Sequence, residues 1–246
     1  MGDGDRIRIA VVTGGSGGIG RRVALRLAAD GMSVAVHYSG NADRAQEVVD
    51  EIAGAGGSAM AVRADVADAD QVTALFDSVV EHFGGVDVVA NTAGIMTLSP
   101  LADLSLDDFD RMIRINLRGT FVVSQKAAAH LREGGALINF SSSVVKMALP
   151  TYSGYAASKG AVEALTPILA KELRGRDVTV NTLAPGPTST PLFLDGKTDE
   201  QIQQMAERSP LQRLGEPDDI AEVVSFLAGP ARWVNGQILY ANGGVI

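Results

Sequence analysis

Thr13-Gly14-Gly15-Ser16-Gly17-Gly18-Ile19-Gly20 decides the fold. The apolar run at residues 7–13 reads as a buried strand, and residues 18–30 carry the periodicity of a helix that stops at Gly31. A strand that turns on glycines straight into a helix has a physical use. Glycine permits positive φ and close approach of the backbone to a ligand. The helix start then offers free N–H groups and a positive partial charge to a pyrophosphate. The glycines Gly14, Gly18 and Gly20 follow the spacing Gly-x-x-x-Gly-x-Gly instead of the more familiar Gly-x-Gly-x-x-Gly. With Ser16 and Ile19 they are the candidate phosphate-binding turn of a dinucleotide site.

Outward from this turn, strands and helices alternate. Strands are expected at 33–38, 58–64, 86–91, 136–140, 178–183 and 237–240. Helices are expected at 42–53, 69–83, 105–131, 152–173 and 218–228, with Pro167 arguing for a kink or a lost backbone bond in the fourth. Strict alternation implies a parallel sheet with helices on both faces. The expected class is α/β: one Rossmann-like, doubly wound domain of about seven strands over residues 1–246. The one shift in composition lies at 185–210, rich in Pro, Thr, Gln and charge, and residues 187–210 are read as a segment covering the substrate.

Composition excludes several functions. The chain has 246 residues, 46% of them hydrophobic, and a net charge of −8 with no basic stretch, which argues against nucleic-acid binding. It has no cysteine, so disulfides and thiolate chemistry are excluded. Its three histidines (His37, His82 and His130) do not have metal-cluster spacing, and no metal site is expected. The first residues lack the basic and apolar regions of a signal peptide, and no apolar run approaches membrane-spanning length. A soluble, cytoplasmic protein without a membrane partner is expected.

The second informative stretch is Gly154-Tyr155-Ala156-Ala157-Ser158-Lys159, with Ser142 thirteen residues before the tyrosine. Positions i and i+4 share one helix face, so a phenol and an ammonium stand side by side. A free tyrosine titrates at about 10, and a nearby cation favours the phenolate. A hydroxyl able to exchange its proton near neutrality is what carbonyl–alcohol interconversion requires. Ser141, Ser142 and Ser143 are consecutive, and composition does not choose among them.

The cofactor preference is read from the end of the second strand. In dinucleotide folds a carboxylate there binds the adenosine ribose hydroxyls. Here the strand ends Val36-His37-Tyr38-Ser39-Gly40-Asn41 without one. Ser39 and Asn41 are suited to hydrogen-bond a 2′-phosphate, with Arg44 or Arg21 adding charge. NADP(H) is therefore favoured over NAD(H). His37 is within reach of the cofactor, but a histidine ending a strand is more often packed, and it is read so here.

Together these signals resemble the short-chain dehydrogenase/reductase family over nearly the whole chain. Thr13–Gly20 is similar to the family's cofactor turn, and Asp65-Val66 to its adenine-contacting acidic dipeptide. Asn91-Thr92-Ala93-Gly94 resembles its Asn-Asn-Ala-Gly motif, with Thr in place of the second Asn. Asn116 falls where the family has a catalytic asparagine, and Pro185-Gly186 beside the nicotinamide. The resemblance implies that Asn116, Ser142, Tyr155 and Lys159 are the catalytic residues, the serine being selected by the family's serine–tyrosine spacing. It implies that Ser142 binds the carbonyl oxygen and that Tyr155 exchanges a proton with it. Lys159 would bind the nicotinamide ribose and hold down the tyrosine pKa, while Asn116 positions a water. It further implies cofactor contacts at Asn91, Ala93, Gly94, Tyr155, Lys159, Pro185, Gly186 and Thr188.

Leu192, Phe193, Met147, Tyr152, Met96 and Leu98 are candidate pocket residues, and no Arg or Lys near 185–194 signals an acidic substrate. The expected activity is NADPH-dependent reduction of a ketone, with a 3-ketoacyl thioester as one candidate. The closest overall resemblance is to bacterial 3-oxoacyl-carrier-protein reductases. The alternatives are an alcohol or sugar dehydrogenase working oxidatively, and a nucleotide-binding protein without turnover. The family is commonly homotetrameric, and the small residues of the tyrosine-bearing helix are compatible with that.

Overall fold

Small and β-branched residues fill both faces of the central strands, as a sheet covered by helices on each side requires. The computed structural model describes residues 6–246; the signal-peptide reading of residues 1–5 lies outside them. The elements in chain order are β1 (Ile9–Thr13), α1 (Gly18–Ala29), β2 (Ser33–Tyr38), α2 (Ala42–Gly54), β3 (Ala59–Arg63) and α3 (Ala69–Phe83). They continue with β4 (Val86–Asn91), α4 (Leu106–Met112), a π-helical turn (Ile113–Gly119), α5 (Thr120–His130) and β5 (Leu131–Phe140). The last third contains α6 (Val144–Met147), α7 (Ser153–Glu172), β6 (Thr179–Pro185), α8 (Pro191–Leu194), α9 (Asp199–Glu207), α10 (Pro217–Ala228) and β7 (Ile238–Ala241).

The seven strands form one sheet in the order β3-β2-β1-β4-β5-β6-β7, every pair parallel. One core packs α1, α2 and α10 against one face of the sheet, through Val23, Leu27, Ile52 and Leu227. The other packs α3, α5 and part of α7 against the opposite face, through Phe76, Val79, Val123 and Leu137. Strand order reverses between β1 and β4. In such sheets a crevice opens there, at the carboxyl ends of the strands.

Two local expectations change. The helix expected at 105–131 is divided by the π-helical turn, which is entered and left through helical residues with no side-chain cap, so nothing in the sequence punctuates the change in winding. The strand expected at 136–140 begins at Leu131, which pairs with Val86; Arg132, Glu133, Gly134 and Gly135 then form the irregularity that separates this pair from Val88 and Ala136. Pro167 sits inside α7 and, having no N–H, leaves one backbone bond of that helix unmade, as its position implies.

Candidate active site

Gly14 has φ +65°, which glycine adopts freely. Its N–H donates to His37 Nδ1 at 3.0 Å, while His37 Nε2 meets the Ala64 carbonyl at 3.0 Å. The carbonyl accepts only, so the proton sits on Nε2 and Nδ1 is the acceptor. His37 is therefore the prop beneath the glycine turn. Burial lowers its pKa below the usual 6.5, because charging it there removes it from water and sets N–H against N–H. Between its folded value and 6.5 the unfolded chain binds more protons, so this part of the stability is present above 6.5 and is lost as pH falls. Denaturant midpoints taken from about pH 7.5 down to 5 are expected to decline, and His37→Gln is expected to flatten that slope.

The start of α1 is free to receive an anion: Gly17 precedes it, and no side chain caps its N–H groups. Gly20 faces the Gly14 carbonyl so closely that a Cβ would lie 2.2 Å from that oxygen. Ser16, Gly18 and Ile19 are half-exposed along the turn, and Ile19 borders the main cavity. These residues fit a pyrophosphate, with glycine where the backbone must approach and uncapped donors where the charge would sit.

Across the crevice, the turn after β4 is tied to β1. Thr13 Oγ1 donates to Asn91 Oδ1 at 2.7 Å, and Asn91 Nδ2 donates to Asn139 Oδ1 at 3.0 Å, so Asn91 turns its side chain into the sheet. Thr92 Oγ1 donates to the Thr13 carbonyl, and the Ala93 N–H donates to Thr13 Oγ1 at 3.2 Å. Asp65 is paired with Arg114 and accepts from the Ala67 N–H at 2.9 Å. Burial works to raise its pKa, but those partners outweigh burial and hold it below the usual carboxylate value. Val66 is buried against Gly119.

The π-helical turn brings Asn116 inward to 0% exposure. Its Oδ1 accepts from the Ile95 N–H at 2.8 Å, and its Nδ2 donates to the Ile95 carbonyl at 2.8 Å and to Ser158 Oγ at 3.0 Å. Ser158 Oγ in turn donates to the Tyr155 carbonyl at 2.7 Å. Both amide hydrogens are used, so the side chain clamps the turn after β4 to α7. Only Oδ1 keeps a spare acceptor site. An atom at the Cβ position of residue 94 would lie 3.2 Å from Asn116 Oδ1 and 3.3 Å from Lys159 Nζ, so both side chains converge on Gly94.

Lys159 is 4% exposed and donates to the Phe140 carbonyl at 2.9 Å. No carboxylate pairs with it among the described residues. Burial brings its pKa down to about 8. Its Nζ lies 5.9 Å from the centre of the Tyr155 ring.

Tyr155 itself is 9% exposed, and burial pushes its phenol up to about 12; Ser142 pulls the other way and Tyr152 adds to the rise. The expected lowering by Lys159 is thus overturned for the protein alone. Helical spacing supplies the neighbour, but loss of water around the phenol sets the direction of the shift.

The serine run resolves by side-chain direction. Ser141 Oγ donates to Glu163 Oε1 at 2.7 Å, and Ser143 Oγ donates to the Ala184 carbonyl at 3.1 Å; both are buried. Ser142 is half-exposed beside Tyr155 and Lys159. All three border a 130 Å³ cavity whose other walls include Gly94, Met96, Met147, Tyr152, Pro185, Gly186, Thr188, Leu192 and Phe193. Thr188 Oγ1 donates to the Gly186 carbonyl at 2.9 Å. Leu98 lies farther out, while Leu149, Thr190 and Met205 join the walls without having been singled out in the sequence. Leu149 and Thr190 lie between regular elements and carry no periodic signal, and the face that Met205 of α9 presents depends on how that helix packs.

At the ribose end, Ser39 and Asn41 are exposed after β2, and Asn41 caps α2 by accepting from the Arg44 N–H at 3.0 Å. Arg21 is engaged by Glu51 instead. Arg63, not anticipated, reaches the Ser39 carbonyl at 3.4 Å, because β3 aligns it beside Tyr38.

A family model described as enoyl-(acyl carrier protein) reductase matches residues 14–246. A "short-chain type dehydrogenase/reductase" of Picea abies is 42% identical, over 97% of this chain and 92% of its own. The chain belongs to the short-chain dehydrogenase/reductase family. Another member, an NADPH-dependent aldehyde reductase-like protein of Arabidopsis thaliana, described as chloroplastic, is 41% identical, over 97% of this chain and 94% of its own. A Burkholderia cenocepacia short-chain dehydrogenase solved in complex with NADP superposes with a TM-score of 0.92 and 42% identity, covering 98% of each chain. This short-chain dehydrogenase/reductase is accordingly an NAD(P)-dependent oxidoreductase acting on small molecules. Among its described residues, no helix is long and apolar enough to cross a membrane, and no three potential metal ligands cluster.

Proposed function

We propose that this protein is an NADPH-dependent carbonyl reductase acting on ketones, with 3-ketoacyl thioesters as one candidate class. The observation that carries the reading is the meeting of Ser142, Tyr155 and buried Lys159 in an apolar cavity beside the glycine turn. Gly14, Ser16, Gly18, Ile19 and Gly20 hold the cofactor pyrophosphate, and Asp65, Val66, Asn91, Ala93 and Gly94 border its adenosine and ribose portions. Pro185, Gly186 and Thr188 border the nicotinamide. Bound there, the cofactor supplies the hydride. Ser142 donates a hydrogen bond to the carbonyl oxygen, where negative charge develops. Tyr155 gives its proton to the same oxygen. Lys159 places a positive charge behind that phenol and binds the ribose hydroxyls. Asn116 fixes the turn after β4 against α7 and offers its spare acceptor site to a water. Residues 187–210, carrying α8 and α9, cover the substrate.

Ser39, Asn41, Arg44 and Arg63 form the site for a 2′-phosphate, and this supports NADPH over NADH. Fluorescence titration is expected to show NADPH binding at least about tenfold tighter, with Arg63→Ala removing most of the difference. Tighter binding of NADH would refute the preference. Cofactor oxidation measured across a panel of apolar ketones is expected to reveal turnover. No activity on any ketone, despite NADPH binding, would refute the reductase reading.

A homotetramer is also proposed, with Phe121 of α5 and Ala157, Ala164 and Ile168 of α7 as the exposed apolar face that a second copy covers. Light scattering on the eluted peak tests it.

A further inference from the structure

The cavity that holds Tyr155 continues past Leu192. Met96, Tyr152, Leu192 and Met205 line both this inner chamber and an outer one. The two differ in size and chemistry. The inner chamber measures 130 Å³, and beyond the reactive hydroxyls its walls are mostly apolar. The outer chamber measures 610 Å³ and adds Lys197, Arg208, Gln201 and Gln204 against one carboxylate, Asp195. Two cations facing one anion is a local excess of positive charge in a chain whose net charge is −8.

The outer wall is held in place. Lys197 Nζ donates to the Phe193 carbonyl at 2.6 Å and stands 4.6 Å from the centre of the Phe193 ring, which fixes the ammonium near the joint between the chambers. Partial burial lowers its pKa and Asp195 acts the other way, as for a cation with an incomplete counter-charge. Arg208 follows α9 and stands exposed. Arg22 and Arg213 each meet a carboxylate, but Arg208 meets none among the described residues. Gln201 uses its Oε1 to accept from the Thr198 N–H, which leaves its amide hydrogens as donors. Thr151, on the same wall, has φ +72°, a costly conformation for a β-branched residue, and its carbonyl accepts from the Ser99 N–H at 3.1 Å.

We propose that the outer chamber is an anion subsite. The substrate is then a ketone whose apolar body fills the inner chamber and whose far end carries a carboxylate or phosphate held by Arg208 and Lys197. This deepens the reductase reading and rests on it. The apolar inner walls reject a charge close to the carbonyl, so the anion must be remote from it. An arginine matches either anion with paired N–H donors.

The test uses three ketones with one shared alkyl body, ending in a carboxylate, its methyl ester or a phosphate monoester. The wild type is expected to prefer at least one anion over the ester by about tenfold in kcat/KM, mainly through KM. The preferred anion identifies the substrate class. Arg208→Gln is expected to collapse the anion-to-ester ratio to within about twofold, whereas Arg208→Lys, which keeps the charge, retains most of it. Equal use of ester and anions by the wild type, or a ratio that survives Arg208→Gln, overturns the subsite. If no ketone, the ester included, is turned over, the reductase reading has failed. The subsite is then read alone by calorimetry with octanoate: binding weakened by Arg208→Gln supports it, and equal binding to both proteins overturns it.

Discussion

Tyr155→Phe is expected to lower kcat/KM for every ketone by about 10²–10⁴-fold, the range for loss of a positioned proton donor. The change removes one oxygen and leaves the ring packed with Met112, Val144 and Tyr152, so the denaturation midpoint should stay close to that of wild type. Turnover equal to wild type on a good substrate would dismiss Tyr155 as the donor. The direction of its pKa shift adds a second readout. A phenol held at about 12 by burial keeps its proton at neutral pH, so carbonyl reduction should vary little through the neutral range. Alcohol oxidation needs the phenolate first. Its rate should therefore climb with pH, by about one logarithmic unit per pH unit while the phenolate remains the minor form. Parallel pH profiles in the two directions would contradict this.

Gly20→Ala is the second large effect. The added methyl would sit 2.2 Å from the Gly14 carbonyl oxygen and 2.5 Å from Thr92 Oγ1. The first neighbour is backbone, so relief requires either α1 or the glycine turn to move. Overpacking of this kind costs about 1–3 kcal/mol of stability. A turn displaced from a pyrophosphate should weaken NADPH binding by about a hundredfold, or roughly 2.7 kcal/mol. Fluorescence titration and urea midpoints check the two parts separately. Gly54→Ala provides the contrast. Nothing lies within 4 Å of its Cβ position in α2, and alanine favours helix, so its midpoint should hold or rise. If both variants behave alike, steric approach at Gly20 is not what matters.

Much of this was written locally in the chain. The glycine turn was legible because a strand, three spaced glycines and a helix follow one another without interruption. Tyr155 and Lys159 were legible because i and i+4 on a helix are neighbours whatever the tertiary structure does. What escaped depends on distant partners. The π-helical turn that buries Asn116 runs from α4 into α5 with no capping residue to mark it. Arg63 reaches Ser39 only because β2 and β3 pair in one register. Lys197 and Arg208 look like ordinary surface charges until α8 and α9 fold over the cavity. The sign of the Tyr155 shift was missed for the same reason: helical spacing reports the cation but not the exclusion of water.

The parallel sheet has a further consequence. The residues proposed to exchange the proton come from the end of β5 and from α7, and the glycine turn joins β1 to α1, whereas α8 and α9 enter as one segment between Thr188 and α10. On the proposed function, the residues that react and those that select the substrate are then separable stretches of gene, with Thr188 kept on the reacting side. Grafting a relative's insertion between those two borders should change which ketone is accepted while the transfer itself keeps its pace, so a single exchangeable cassette would suffice to diversify this catalyst.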